Sequence, residues 1–157
     1  MTRRWCGGVV VLLSMLVARV ACAQTCVVSS TGLTFGTYDP FASTPASITG
    51  TVSVTCQAVV ALGLSYSIQI GTGGGGAFNT RMLASGSGRL SYQLYTTNTR
   101  STVWGDGTGG TGVVSDGYLL AALGSNSKSY TIYGSITAGQ MVPAGVYSDV
   151  SSVLIVY

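Results

Sequence analysis

The run Ile48-Thr49-Gly50-Thr51-Val52-Ser53-Val54-Thr55-Cys56 alternates apolar and polar side chains with period two. That is the periodicity of a β-strand with one buried face. Ile48, Val52, Val54 and Cys56 share the face, with Gly50 between them. Leu64-Ser65-Tyr66-Ser67-Ile68-Gln69-Ile70 alternates in the same way. No amphipathic helical stretch of useful length accompanies them. Short strands separated by turn signals describe an all-β sandwich or barrel.

Further strands are expected at Cys26–Ser29 with Leu33–Phe35 as one interrupted strand, at Arg89–Thr96 and at Tyr130–Ile136. Turns are expected at Thr37-Tyr38-Asp39-Pro40, at Trp104–Gly110 and at Ala138–Gln140. The run Gly71-Thr72-Gly73-Gly74-Gly75-Gly76 reads as a flexible loop, because glycine carries the largest backbone entropy. The last stretch, Val146 to Tyr157, is rich in β-branched and aromatic residues and reads as one long strand. No turn or returning strand follows it, so an apolar edge is expected to stand open to another chain's strand.

The first 23 residues read as an export leader. Arg3 and Arg4 begin it, Val9 to Ala18 form a short apolar run, and Ala21-Cys22-Ala23 has the small-residue pattern of a cleavage site. The alternative, a membrane anchor, requires a longer apolar run, and Arg19 interrupts this one. Processing after Ala23 would remove three of the seven basic residues and leave Arg81, Arg89, Arg100 and Lys128 against Asp39, Asp106, Asp116 and Asp149. The formal charge of +3 is then a feature of the leader. No nucleic-acid partner and no membrane span are expected of the processed chain, whose length of about 130 residues suits one domain with a real core. Of the four cysteines, Cys26 and Cys56 would remain. In an oxidising compartment they read as one disulfide, the alternative being a pair of free thiols.

Catalytic chemistry is poorly supplied. The chain has no His and no Glu, which excludes a Ser-His-Asp triad. The four Asp residues could in principle pair for glycoside hydrolysis, but each lies in a turn context or at a strand end, where Asp caps its own backbone. Zinc lacks ligands once both cysteines are bridged, and Asp106-Gly107-Thr108-Gly109 lacks the spaced carboxylates of a calcium loop. Gly124-Ser125-Asn126-Ser127-Lys128-Ser129 lacks the glycine before the lysine and the strand-to-helix context of a phosphate loop. The expectation is a protein that is not an enzyme and carries no cofactor or metal. The tyrosines and hydroxyls could form a carbohydrate-contacting surface, although alternate packing of Tyr in a sandwich accounts for them as well.

A set of segments in order along the chain carries a family resemblance. They are Thr25-Cys26-Val27-Val28-Ser29, Phe35-Gly36-Thr37-Tyr38-Asp39-Pro40, Gly50–Cys56, Leu90–Tyr95, Val103-Trp104-Gly105-Asp106-Gly107, Tyr133-Gly134, Pro143–Asp149 and the terminal Tyr157. In these the chain resembles the spore coat protein U domain, also the subunit fold of archaic chaperone–usher pili. The resemblance implies an immunoglobulin-like β-sandwich that lacks its last strand. It implies partners too: a periplasmic chaperone that lends a strand, an outer-membrane usher, and neighbouring pilus subunits. It also implies a Cys26–Cys56 disulfide between the first two strands.

On this reading Tyr147, Asp149, Ser151, Val153, Ile155 and Tyr157 share one face of the final strand, and Val146, Val150, Leu154 and Val156 the other. The first set is expected to face the partner-strand groove and the chaperone, with contacts from Tyr147, Asp149, Val153, Ile155 and Tyr157. Only Gln24 and Thr25 would precede Cys26 after processing, too few for a donor strand. A tip or end position in a cell-surface assembly is therefore expected. The competing expectations are a secreted coat-like protein, a tip adhesin using the loops Gly71–Asn79 and Asp106–Asp116, and an Asp-dependent hydrolase.

Overall fold

The computed structural model describes residues 25–58, 61–121 and 124–157. The expected leader, residues 1–23, lies outside them. The described residues form eight strands: β1 (Thr25–Ser30), β2 (Ala46–Ala58), β3 (Ala61–Ile70), β4 (Met82–Ser85), β5 (Gly88–Tyr95), β6 (Val114–Ala121), β7 (Gly124–Ile136) and β8 (Val153–Val156). They make two sheets, one ordered β1-β2-β7-β5-β4 and the other β6-β3-β8. Every pairing between them is antiparallel.

The alternation seen in the sequence decides what is inside. Val52, Val54 and Cys56 of β2, Leu90, Tyr92 and Leu94 of β5 and Ile132 and Ile136 of β7 point inward from one sheet. Leu64, Tyr66, Ile68 and Ile70 of β3 meet them from the other. Trp104 fills the space between, fully buried, with its indole Nε1 donating to the Ile68 carbonyl at 2.8 Å. A buried indole keeps its single donor satisfied in this way. Cys26 and Cys56 face each other in the β1–β2 register and form a disulfide, with Cα atoms 4.1 Å apart.

Several expectations need correction. The final strand is short: only Val153–Val156 forms a ladder, with residues 67–70 of β3, and residues 146–152 are irregular apart from an isolated bridge at Ser148. Leu33–Phe35 is not a strand. Two strands absent from the sequence reading, β4 and β6, are present, and β6 absorbs the end of the supposed loop Asp106–Asp116. The glycine run is an ordered turn, not a flexible loop. Gly73–Gly75 form a single 3₁₀ turn closed by Gly76 N–H donating to the Gly73 carbonyl. Close neighbours explain its composition: a side chain on Gly73 would collide with the Asp149 carboxylate, and one on Gly75 with the Thr80 carbonyl.

The carboxylates also divide. Asp39 and Asp106 cap their own turns, accepting from the Phe41 and Thr108 amides. Asp116 and Asp149 instead hold distant elements. Asp116 pairs with Lys128 at 2.7 Å and accepts the Tyr130 hydroxyl. The hydrogen bond from Lys128, with those from the Gly117 amide and Tyr130, holds the Asp116 carboxyl down at about 2.

Candidate functional site

An open groove runs between two stretches of backbone that leave their sheets. The first wall is residues 31–38. Thr31 N–H still reaches the Thr51 carbonyl at 2.9 Å, but beyond it the segment is held by side chains. Leu33 packs on Gly50 and Phe35 on Gly134, each glycine leaving room where a side chain would collide. Tyr38 anchors the far end, donating to the Thr137 carbonyl and accepting from the Gln140 amide.

The second wall is residues 142–153. Ser148 exchanges both backbone hydrogen bonds with Ala84 of β4. The chain then crosses to the other sheet, where β8 pairs with β3 on one side and forms the sheet's edge on the other. Between those anchorages the wall is tied to the glycine turn. Ser151 Oγ donates to the Gly71 carbonyl, and Gly71 N–H donates to the Ser152 carbonyl, both at 2.8 Å.

Asp149 is the centre of that tie. Its Oδ1 accepts from the Gly74 and Val150 amides at 2.8 Å each. Its Oδ2 accepts the Tyr92 hydroxyl at 2.7 Å. Burial of the Tyr92 phenol, and then this bond to a carboxylate, push its pKa well above the usual phenol range. Behind them lies Arg81, fully buried. Its guanidinium donates to the carbonyls of Ile70, Gly71 and Trp104 and to Gln93 Oε1, which answers most of its donor capacity in the interior. Burial lowers its pKa, opposed by Tyr92 and Asp149. A buried cation at the meeting of both sheets was not read from the sequence. No charge pattern around Arg81 announces it.

The groove has two lobes. The smaller, about 250 Å³, has Ile70, Leu94, Ile132 and Val153 in its lining. The larger, about 720 Å³, has Tyr38, Leu90, Ile136, Val142 and Tyr147 in its lining. Leu33, Phe35, Leu83 and Asp149 line both, so the lobes meet there. Of the residues expected at a partner groove, Tyr147, Asp149 and Val153 line it. Ile155 packs on the core beside it, opposite Ile68 of β3. Tyr157 lies past the end of β8, exposed, and lines neither lobe. Leu33 and Phe35, in the opposite wall, were read as part of a strand and not as groove residues; their i, i+2 spacing shows that they share a face but not what that face meets. Val146 lines the larger lobe and Val150 the smaller, although both belong to the set expected on the opposite face; each is 89% exposed, and Leu154 and Val156 also leave apolar surface in water.

The family model of the Spore Coat Protein U domain matches residues 12–153. The chain belongs to the spore coat protein U domain family. A curated relative, Protein U of Myxococcus xanthus, is 34% identical over 126 residues, which is 74% of this chain and 66% of Protein U. Among solved structures, the chain matches part of the CsuC–CsuE chaperone–tip adhesion subunit pre-assembly complex from archaic chaperone–usher Csu pili of Acinetobacter baumannii. That match has a TM-score of 0.53 at 17% identity, and covers 86% of this chain and 40% of the solved one. At that identity the likeness is one of fold, and it agrees with the immunoglobulin-like two-sheet arrangement described above. The spore coat protein U domain here spans less than half of the solved chain, and about two thirds of Protein U.

Proposed function

We propose that this protein is an exported structural subunit of a cell-surface pilus or coat, and that its groove accepts a β-strand from another chain. One observation carries the reading. Two walls that form few backbone–backbone hydrogen bonds among the described residues flank an apolar floor made by Ile70, Leu83, Leu90, Leu94, Ile132 and Ile136. An inserted strand would satisfy backbone donors and acceptors on both sides and remove the floor from water, worth about 25 cal/mol per Å² of apolar area. In transit through the periplasm the strand would come from a chaperone. At an outer-membrane usher a neighbouring subunit's strand would replace it. The similar solved structure is a complex of a chaperone with a tip adhesion subunit, which supports this choice of partners. Tyr147, Asp149 and Val153 would contact the strand directly, Ile155 would support it from the core, and Tyr157 would meet the chaperone outside the groove.

No catalytic function is part of the proposal. An end or tip position is part of it: with processing after Ala23, two residues would precede Cys26, against roughly ten needed to span such a groove at about 3.3 Å per residue. N-terminal sequencing of the surface form tests that point. Membership of the spore coat protein U domain family supports a second reading, a secreted coat-like protein that does not polymerise by strand exchange.

An SDS gel of sheared surface material, run without boiling, separates the two. High-mass bands that collapse to one monomer on boiling are expected of strand-complemented assembly. A lone monomer in both lanes would sink the pilus reading and favour the coat.

A further inference from the structure

We propose that Asp149 selects the residue that a partner strand places at the middle of the groove, favouring a hydrogen-bond donor such as Ser, Thr or Asn and excluding a carboxylate. The inference rests on the groove being a strand acceptor, and it adds what that strand must carry. Both lobes are dominated by apolar side chains, and Asp149, where they meet, is the one carboxyl side chain among the residues lining either lobe, which include no Lys or Arg.

The carboxylate is fixed in place and incompletely used. Its two oxygens offer about four acceptor sites. Oδ1 receives two donors, the Gly74 and Val150 amides, and Oδ2 receives one, the Tyr92 hydroxyl. One site on Oδ2 is left. The missing side chain of Gly73 is what lets the carboxylate sit against the turn, so it cannot swing away from an unsuitable neighbour without breaking three hydrogen bonds. An apolar residue placed over it would strip water from a charged acceptor and return nothing. A carboxylate there would add like-charge repulsion in an apolar surround. A hydroxyl or amide would donate to the vacant site. The partner strand is therefore an apolar alternation interrupted once, and the interruption fixes its register, because a two-residue slip would carry the donor into an apolar lobe.

The test uses fluorescent peptides of about twelve residues, with Val and Leu at inward positions and Thr and Lys outward. Ser is walked through the inward positions one at a time. Binding to the purified full chain is read by anisotropy. One position is expected at which Ser binds about tenfold tighter than the all-apolar parent, and at which Asp binds more weakly than either. In Asp149→Asn the Asp penalty at that position disappears while Ser is still accepted. A flat profile with the parent peptide binding overturns the inference and leaves the groove reading standing. Failure of every peptide to bind overturns both. If Asp149→Asn does not fold, the walk on the unaltered protein decides alone.

Discussion

The hydroxyl of Tyr92, on the floor of the groove, donates to Oδ2 of Asp149 in its wall at 2.7 Å. Fifty-seven residues separate the two in the chain, and this bond holds an irregular segment against a buried strand. Tyr92→Phe keeps the ring in the core and removes only the donor. Hydrogen bonds to charged groups contribute about 1.5–3 kcal/mol, so the urea midpoint should fall by an amount in that range with the slope unchanged. A shift below a few tenths of a kcal/mol would mean that the wall is held by its other bonds.

Two glycines in the same turn should respond differently to a methyl group. Both have left-handed φ, +65° at Gly73 and +74° at Gly76. A Cβ at Gly76 meets open space, whereas at Gly73 it would collide with Asp149 Oδ2. Gly76→Ala should cost about 1–2 kcal/mol, the backbone strain alone. Gly73→Ala should cost more and should also weaken binding of any strand to the groove, because the carboxylate must move. Equal losses in thermal unfolding would refute the close approach.

Arg81 carries the largest expected penalty. Arg81→Met leaves the Ile70 and Trp104 carbonyls without this donor in the interior, and each buried acceptor left unsatisfied costs about 1–3 kcal/mol. Arg81→Lys should rescue little, since an ammonium cannot reach four separate acceptors held in the plane of a guanidinium. Chemical denaturation of both variants tests the pair.

Acid should act through Asp116. Its folded pKa, near 2, lies below the ordinary carboxylate value, so its contribution to stability is present above about pH 4 and is lost as pH falls towards 2. Asp116→Asn should lower stability at pH 7 and flatten the profile between pH 4 and 2. A parallel profile for the variant would place the acid sensitivity elsewhere.

The strands that alternate cleanly, β2 and β3, could be read directly from the chain, because a two-sided sandwich core enforces period two, and β5 could be read despite Tyr95, which puts an apolar residue on its second face. β6 could not. Its Asp116-Gly117 pair has the composition of a turn, yet Gly117 is there because a side chain would strike the Leu64 carbonyl in the neighbouring strand. The final stretch failed in the opposite sense. Residues 146–157 have strand composition throughout, but the ladder on β3 covers only 67–70, and residues 148–152 are drawn instead to Ala84 and Gly71. The groove was legible on one side only. Tyr147, Asp149 and Val153 were singled out because they share a parity in a terminal run, but Val146 and Val150, of the other parity, line the groove too, because the segment is not a strand there and parity does not separate its faces. The other wall depends on which glycines of β2 and β7 lie beneath Leu33 and Phe35, a long-range fact that no local pattern carries.

Gly50 and Gly134 occupy paired strands, offset by two residues in register, and together they act as a gauge. The depth to which Leu33 and Phe35 sink onto them sets how far residues 31–38 stand off the sheet, and so the width of the opening facing residues 149–153. Two hydrogen atoms in place of side chains, at the bottom of the core, thereby govern the bore of a channel at its surface. Calibre could be altered by substitution there without touching a single residue that a guest strand would meet.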